Sequence, residues 1–124
     1  MIKLGLQDWL VLGNLDAYLV WDYAPDYVNA MWLMLQGDTP DDFVVAAGET
    51  RSVRDFAQAA FSSVGLAYEK YVTIDTNLFR PTEKVLLTGD PSKIIDRYGW
   101  KPTYQSTEII AEMIECEMWL HQRS

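Results

Sequence analysis

Apolar residues change their period several times along the chain, and each change marks an element. Trp9 to Gly13 is a short apolar run stopped by Gly13-Asn14, the pattern of a strand followed by a turn, and Tyr18-Leu19-Val20-Trp21 reads as a second extended piece. Pro25 and Gly37 bracket a helix over about Asp26 to Gln36 whose apolar residues cover nearly its whole circumference. Such a helix wants neighbours on more than one side. Phe43-Val44-Val45-Ala46-Ala47 is apolar without alternation, as in a parallel strand covered on both faces. From Ser52, with Asp55 placed as its capping partner, Val53, Phe56, Ala57, Ala60, Phe61 and Val64 share one helical face up to Gly65. Tyr71 to Asp75 is rich in β-branched residues and reads as a strand.

The remaining elements announce themselves by their ends. Asp90 is a good N-cap, Pro91 suits a first helical position, and Gly99 is placed to stop a helix that presents Ile94, Ile95 and Tyr98. Trp100 and Pro102 then hold the exit. Ser106 opens a last helix carrying Ile109, Ile110, Met113, Ile114, Met118 and Leu120. Strands alternating with helices, then helices alone, predict one mixed α/β, helix-rich domain over residues 1–124.

Composition narrows the functions. The 124 residues are 49% hydrophobic and 23% charged, enough for a real core, and the net charge of -8 with only 10 scattered Lys and Arg argues against nucleic-acid binding. A single cysteine, Cys116, forms no internal disulfide, and no CxxC or histidine cluster suggests a metal site. A reducing cytoplasm is the expected setting. No apolar run approaches the roughly 20 residues needed to span a bilayer, so no membrane role is expected. His121, Trp21, Trp32, Trp100 and Trp119 read as structural.

Candidate chemistry gathers at one place. Pro81 fixes the backbone just after Arg80, and Glu83 follows three residues on, so one turn offers a guanidinium suited to phosphate and a carboxylate suited to hydroxyl or N–H groups. A simple Arg80–Glu83 surface pair accounts for the same residues.

Leu78-Phe79-Arg80-Pro81-Thr82-Glu83, with Leu86-Leu87-Thr88-Gly89-Asp90-Pro91-Ser92-Lys93 and Gly99-Trp100-Lys101-Pro102, closely resembles the carboxy-terminal part of GDP-mannose 4,6-dehydratases, an extended branch of the short-chain dehydrogenase/reductase superfamily. Leu4-Gly5-Leu6-Gln7, Leu12-Gly13-Asn14-Leu15-Asp16-Ala17, Ala30-Met31-Trp32-Leu33-Met34-Leu35-Gln36 and Ala47-Gly48-Glu49-Thr50 resemble it too, in the family's order. The resemblance implies the substrate-binding half of that fold without its Rossmann half. It implies that Arg80 contacts a sugar-nucleotide diphosphate, that Glu83 holds the nucleoside, and that Gly13 and Asn14 lie near the base. It also implies that Asp26–Gln36 and Phe43–Ala47 join the edge of a Rossmann sheet.

Two features of the chain depart from that family. It has no glycine-rich dinucleotide turn and no Tyr-x-x-x-Lys pair, so no catalytic residue, NADP site or dehydration is expected of these 124 residues, although the full-length family uses NADP. Where the family continues Lys-Arg-Asp, the chain has Tyr18-Leu19-Val20, and a family His is Arg51. The expectation is therefore an excised or engineered, catalytically silent segment that acts as a self-associating or partner-binding scaffold through Leu19, Val20, Trp32 and Phe43. The alternative is a fragment that binds GDP or a GDP-sugar weakly.

Overall fold

Two short strands, β1 (Leu10–Leu12) and β4 (Val72–Ile74), lie parallel with Leu10 opposite Val72 and Leu12 opposite Ile74. A second pair, β2 (Tyr18–Val20) and β3 (Thr50–Ser52), is antiparallel and sets Leu19 opposite Arg51. The α-helices are α1 (Ala24–Leu35), α2 (Val53–Ser63), α3 (Ser92–Tyr98) and α4 (Ser106–Gln122). The computed structural model describes residues 1–47, 49–80 and 88–123.

Local chemistry explains where the helices begin and stop. The Ser52 hydroxyl accepts the Asp55 N–H at 3.1 Å, the cap expected from that spacing. α3 starts one residue later than expected: Pro91 is its cap and the Asp90 carboxylate accepts the Ser92 N–H at 3.0 Å. Gly99, at φ 65°, returns its N–H to the Ile95 carbonyl, which only a residue at ease in the left-handed region does without strain. At α4 the cap is Gln105 rather than a serine. Its side chain and that of Glu108 close a reciprocal capping box, and Ser106 is the first helical residue.

The core forms where α1 crosses α3. Ala30, Ile94 and Trp100 are almost fully buried, with Leu33, Met34, Phe43, Val45, Ile95 and Tyr98 packed around them. Asp26 ties the two ends of this core together. Its carbonyl accepts the Trp100 indole N–H at 2.9 Å, and its carboxylate accepts the Thr103 hydroxyl at 2.6 Å and the Thr103 N–H at 2.9 Å. On the other side α2 packs against α4 and buries Ala57, Phe61, Ile109 and Ile110, while Trp21 stacks on Phe56 with centroids 4.1 Å apart.

One expected element is corrected. Phe43–Ala47 forms no strand, because among the described residues no neighbouring strand takes up its backbone hydrogen bonds. Instead the Ala47 N–H donates to the Asp22 carboxylate at 3.0 Å, and Phe43 is held against the core, edge-on to Tyr98 with the Lys93 and Arg97 cations over its ring. The sheet is correspondingly reduced to two separate pairs among the described residues. α1 keeps its unusual apolarity. Val28, Met31, Trp32 and Leu35 are all exposed, Leu35 at 81%.

Candidate functional site

Parallel strands send their following loops out of the same end of a sheet, the usual place for a ligand in an α/β fold. β1 is followed by Gly13-Asn14, and β4 by Asp75 to Arg80. The Asp75 N–H donates to the Leu12 carbonyl at 2.8 Å, so the pairing persists to the strand ends. The loops then touch. A Cβ built on Gly13 would stand 2.9 Å from the Leu78 carbonyl oxygen and 3.2 Å from its carbon, so only glycine lets the two backbones approach this closely. Gly13 and Asn14, more than sixty positions before Arg80 in the chain, are thereby set beside the segment that carries it.

The site residues differ in how firmly they are held. Asn14 is half-buried, and its Oδ1 accepts the Asp16 N–H at 3.0 Å in a local turn. Asp75 makes the matching turn on the other loop, accepting the Asn77 N–H at 2.9 Å. Arg80 is exposed, and among the described residues it has no ion-pair partner. Glu83 lies outside the described residues. The structure thus brings together Gly13, Asn14 and the approach to Arg80.

Two further arginines lie on β3 and α2: Arg51, which the motif reading marked only as a departure from the family, and Arg54, to which it gave no role. Arg54, in the first turn of α2, reaches Asp16 with Nη2 at 3.2 Å and the Tyr68 hydroxyl with Nη1 at 3.4 Å. Both partners raise its pKa, the Tyr68 contact most. Arg51 sits directly across the β2–β3 pair from Leu19, with its Nε 2.7 Å from Glu49. Burial pushes the Glu49 carboxyl up, but the Ser106 N–H and the Arg51 guanidinium outweigh it and hold that group below the ordinary carboxylate range. The one signal available in the sequence was the cap at Ser52, with Arg51 one residue before it and Arg54 two residues past it. It names a partner for neither.

The proposed interface residues are spread over the surface. Leu19 and Trp32 are exposed, Val20 is half-buried, and Phe43 is occupied by its core contacts. An apolar groove of about 360 Å³ lies elsewhere, between α2 and α4, lined by Phe56, Phe61, Ile110, Met113 and Met118 and by none of the candidate binding residues. Among the described residues no cluster of His, Cys, Asp or Glu is arranged to hold a metal ion, and no helix is long and apolar enough to cross a membrane.

Comparison with known proteins gives these residues a context. A family model described as GDP-mannose 4,6 dehydratase matches residues 1–113. GDP-mannose 4,6 dehydratase 1 of Arabidopsis thaliana is 45% identical over 122 residues, covering 98% of this chain and 34% of the relative. The human GDP-mannose 4,6 dehydratase is 40% identical over 136 residues, covering 96% of this chain and 37% of the relative. The chain therefore spans about a third of the length of the curated relatives it matches. Among solved structures, RMD from Pseudomonas aeruginosa complexed with NADPH superposes with TM-score 0.79 at 20% identity, covering 92% of this chain and 37% of that one. The dTDP-glucose 4,6-dehydratase of Bacillus anthracis in complex with NAD superposes at 0.74 and 13% identity, covering 92% and 35%. These likenesses show the fold, a partial domain of the extended short-chain dehydrogenase/reductase type. With the family match running over residues 1–113 and the relatives covering nearly all of the chain, this chain belongs to the GDP-mannose 4,6-dehydratase family.

Proposed function

We propose that this chain is the nucleotide-sugar-binding portion of a GDP-mannose 4,6-dehydratase and is catalytically silent by itself. Arg80 takes the diphosphate, Glu83 the nucleoside, and Gly13-Asn14 lies along the base. The observation that supports this reading is the contact between Gly13 and Leu78, which sets the two binding loops side by side at the carboxyl ends of β1 and β4. The single exposed Cys116 suits a reducing cytoplasm.

NADP does not fit the residues present. A pyrophosphate needs a glycine-rich turn at a helix N-terminus. Here α1 opens on Tyr23-Ala24-Pro25, α2 on Ser52-Val53, α3 on Pro91-Ser92 and α4 on Gln105-Ser106. Purified protein with GDP-mannose and NADP is expected to give no 4-keto-6-deoxy sugar, and turnover would overturn that part of the reading.

The family resemblance puts Leu19 where a cation is expected, and a charge-assisted hydrogen bond is worth roughly 1.5–3 kcal/mol, so GDP affinity is expected to be weaker by a factor on the order of ten to a hundred. Calorimetry should show weak GDP binding that is lost in Arg80→Ala and strengthened in Leu19→Arg. Equal affinity in Arg80→Ala refutes the site.

A second reading, a self-associating or partner-docking scaffold, is favoured by one observation. The exposed apolar residues of α1 fall at 28, 31, 32 and 35, a single stripe at helical spacing. Light scattering is expected to give a mass above the monomer that drops in Leu19→Glu and Trp32→Glu. A parent chain that stays monomeric at high concentration sinks this reading.

A further inference from the structure

The groove between α2 and α4 is built from two facing ridges. Phe56, Ala60 and Val64 recur every four residues along α2 and its cap, and Ile110, Ile114 and Met118 every four along α4, so each helix turns one apolar row toward the gap. Each row is roughly 12 Å long. Phe61 and Ile110 are buried at the floor, where the Phe61 ring stacks on Tyr71 with centroids 5.8 Å apart. Above them the groove of about 360 Å³ is open, and a second recess continues it past Val64, Ile114 and Met118 to Trp119. Its polar lining residues, Lys3, Gln7 and Glu117, are exposed at the edge, so the floor lacks the convergent polar groups that orient a small ligand.

The edge along α4 has a sign. This helix carries Glu108, Glu112, Glu115 and Glu117 and neither Lys nor Arg from Ser106 to Gln122. Glu117 lines the groove and meets His121 Nε2 at 3.4 Å, while Glu115 lines the adjoining recess and has no ion-pair partner among the described residues. Lys3 stands on the opposite edge, and Arg123 lies over the Trp119 ring at 4.5 Å. A second copy of this chain, with a net charge of -8, would set like charges together here, and so would a fatty acid or an anionic bilayer.

We propose that this groove docks an amphipathic helix of about three turns, with basic residues flanking its apolar stripe, contributed from outside these 124 residues. Its apolar side chains at i, i+3, i+4 and i+7 enter between the two rows as a third ridge, and its Lys or Arg side chains reach Glu115 and Glu117. Met113 and Met118, unbranched and adjustable, fit the groove to that stripe. The surface shares no residue with the outer face of α1 or with Gly13, Asn14 and Arg80.

The test is calorimetric titration of the full chain with a helical peptide of about fifteen residues, Leu at i, i+3, i+4 and i+7 and Lys elsewhere. Two controls accompany it: the same peptide with Glu for every Lys, and one of the same composition with its Leu dispersed around the helix. The Lys peptide is expected to bind, more weakly as salt is raised, and each control to bind at least about tenfold less tightly. The double variant Glu115→Lys/Glu117→Lys is expected to weaken the Lys peptide at least about fivefold. Met113→Asn, at an exposed position that leaves the unfolding midpoint unchanged, is expected to weaken it roughly three- to tenfold, and Trp32→Glu to leave it as it was. No binding of the Lys peptide, equal binding of the Lys and Glu peptides, or binding untouched by Met113→Asn overturns the assignment. A parent chain whose mass in solution falls in Met113→Asn would name a second copy as the occupant and overturn it as well.

Discussion

Replacing Gly13 by alanine tests the central contact of the site. The new methyl carbon would meet the Leu78 carbonyl oxygen at 2.9 Å and the Leu78 carbonyl carbon and Cβ at 3.2 Å, and the nearest of these is backbone with no rotamer to change. Ordinary contact begins near 3.4 Å, so the 75–80 segment must retreat by roughly half an ångström, and such overpacking typically costs about 1–3 kcal/mol. Gly13 does not have a positive φ, so the cost is steric and owes nothing to backbone strain. For a domain of this size each kcal/mol lowers the unfolding midpoint by roughly 3–6 °C. Gly13→Ala is therefore expected to unfold at least about 3 °C lower and to bind GDP more weakly, since Arg80 lies just beyond the displaced Leu78. Calorimetric unfolding and GDP titration on the same preparation read both effects. A Gly13→Ala variant with the parent midpoint and the parent affinity would show that the two loops do not constrain each other, and the site as described would fall.

Two further expectations concern what holds the scaffold. Asp26→Ala removes the acceptor of two good hydrogen bonds from Thr103 in a buried position, and at about 1.5–3 kcal/mol for each charge-assisted bond it should cost several kcal/mol of a total near 5–15 kcal/mol. Urea unfolding should show a much lower midpoint at an unchanged slope, and a midpoint equal to the parent's would refute the clamp. Asp41 sets an acid limit: hydrogen bonds from Lys93, the Asp42 N–H and Arg97 hold its carboxyl down to about 2 against an ordinary 3.8. A depressed folded-state value means that the contribution is complete above the ordinary pKa and lost as pH falls toward 2. Asp41→Asn should thus be less stable than the parent near neutral pH and converge with it at the acid end. Parallel stability curves across that range would contradict it.

Local chemistry was legible in the sequence, and distant pairing was not. Ser52 with Asp55, Pro91 with Gly99, and the Ala57–Phe61 face of α2 each declare themselves within one or two turns, and each stands where its signal placed it, within a residue. β3 went unread because its three residues run straight into the capping signal at Ser52, and its partner β2 lies some thirty positions earlier. The apolarity of Phe43–Ala47 and the family resemblance both predict a strand, but a strand needs a neighbour; without one among the described residues, Ala46 is buried, Phe43 and Val45 pack on the core, and Val44 is exposed. At the site, Gly13, Asn14 and Arg80 came from motif resemblance, and the structure supplies the contact that relates them. Arg54 and Asp16 were invisible for a physical reason. An ion pair spanning 38 positions leaves no local pattern, and only the register of the folded loop joins its halves.

The apolarity of α1 resolves into two stripes with different fates. The inner one buries Ala30 at full depth and lays Leu33 and Met34 against Ile94 and Trp100. Ala30 matters here because a small residue lets the helix axis come close to α3. The outer stripe, Val28, Met31, Trp32 and Leu35, packs against none of that core and is between 58% and 81% exposed. Fully burying such a side chain gains roughly 1.5–3 kcal/mol, so four of them hold a driving force comparable to the whole stability of a small domain. In Phe43–Ala47, by contrast, only Val44 is exposed, and the segment has no strand ladder among the described residues. Both features lie between β2 and β3, at a distance in sequence from the loops that carry Gly13, Asn14 and Arg80. The proposed association through α1 and the proposed nucleotide site at Gly13, Asn14 and Arg80 thus use different residues, and a charge placed at Trp32 is expected to change the mass in solution while leaving the affinity for GDP as it was.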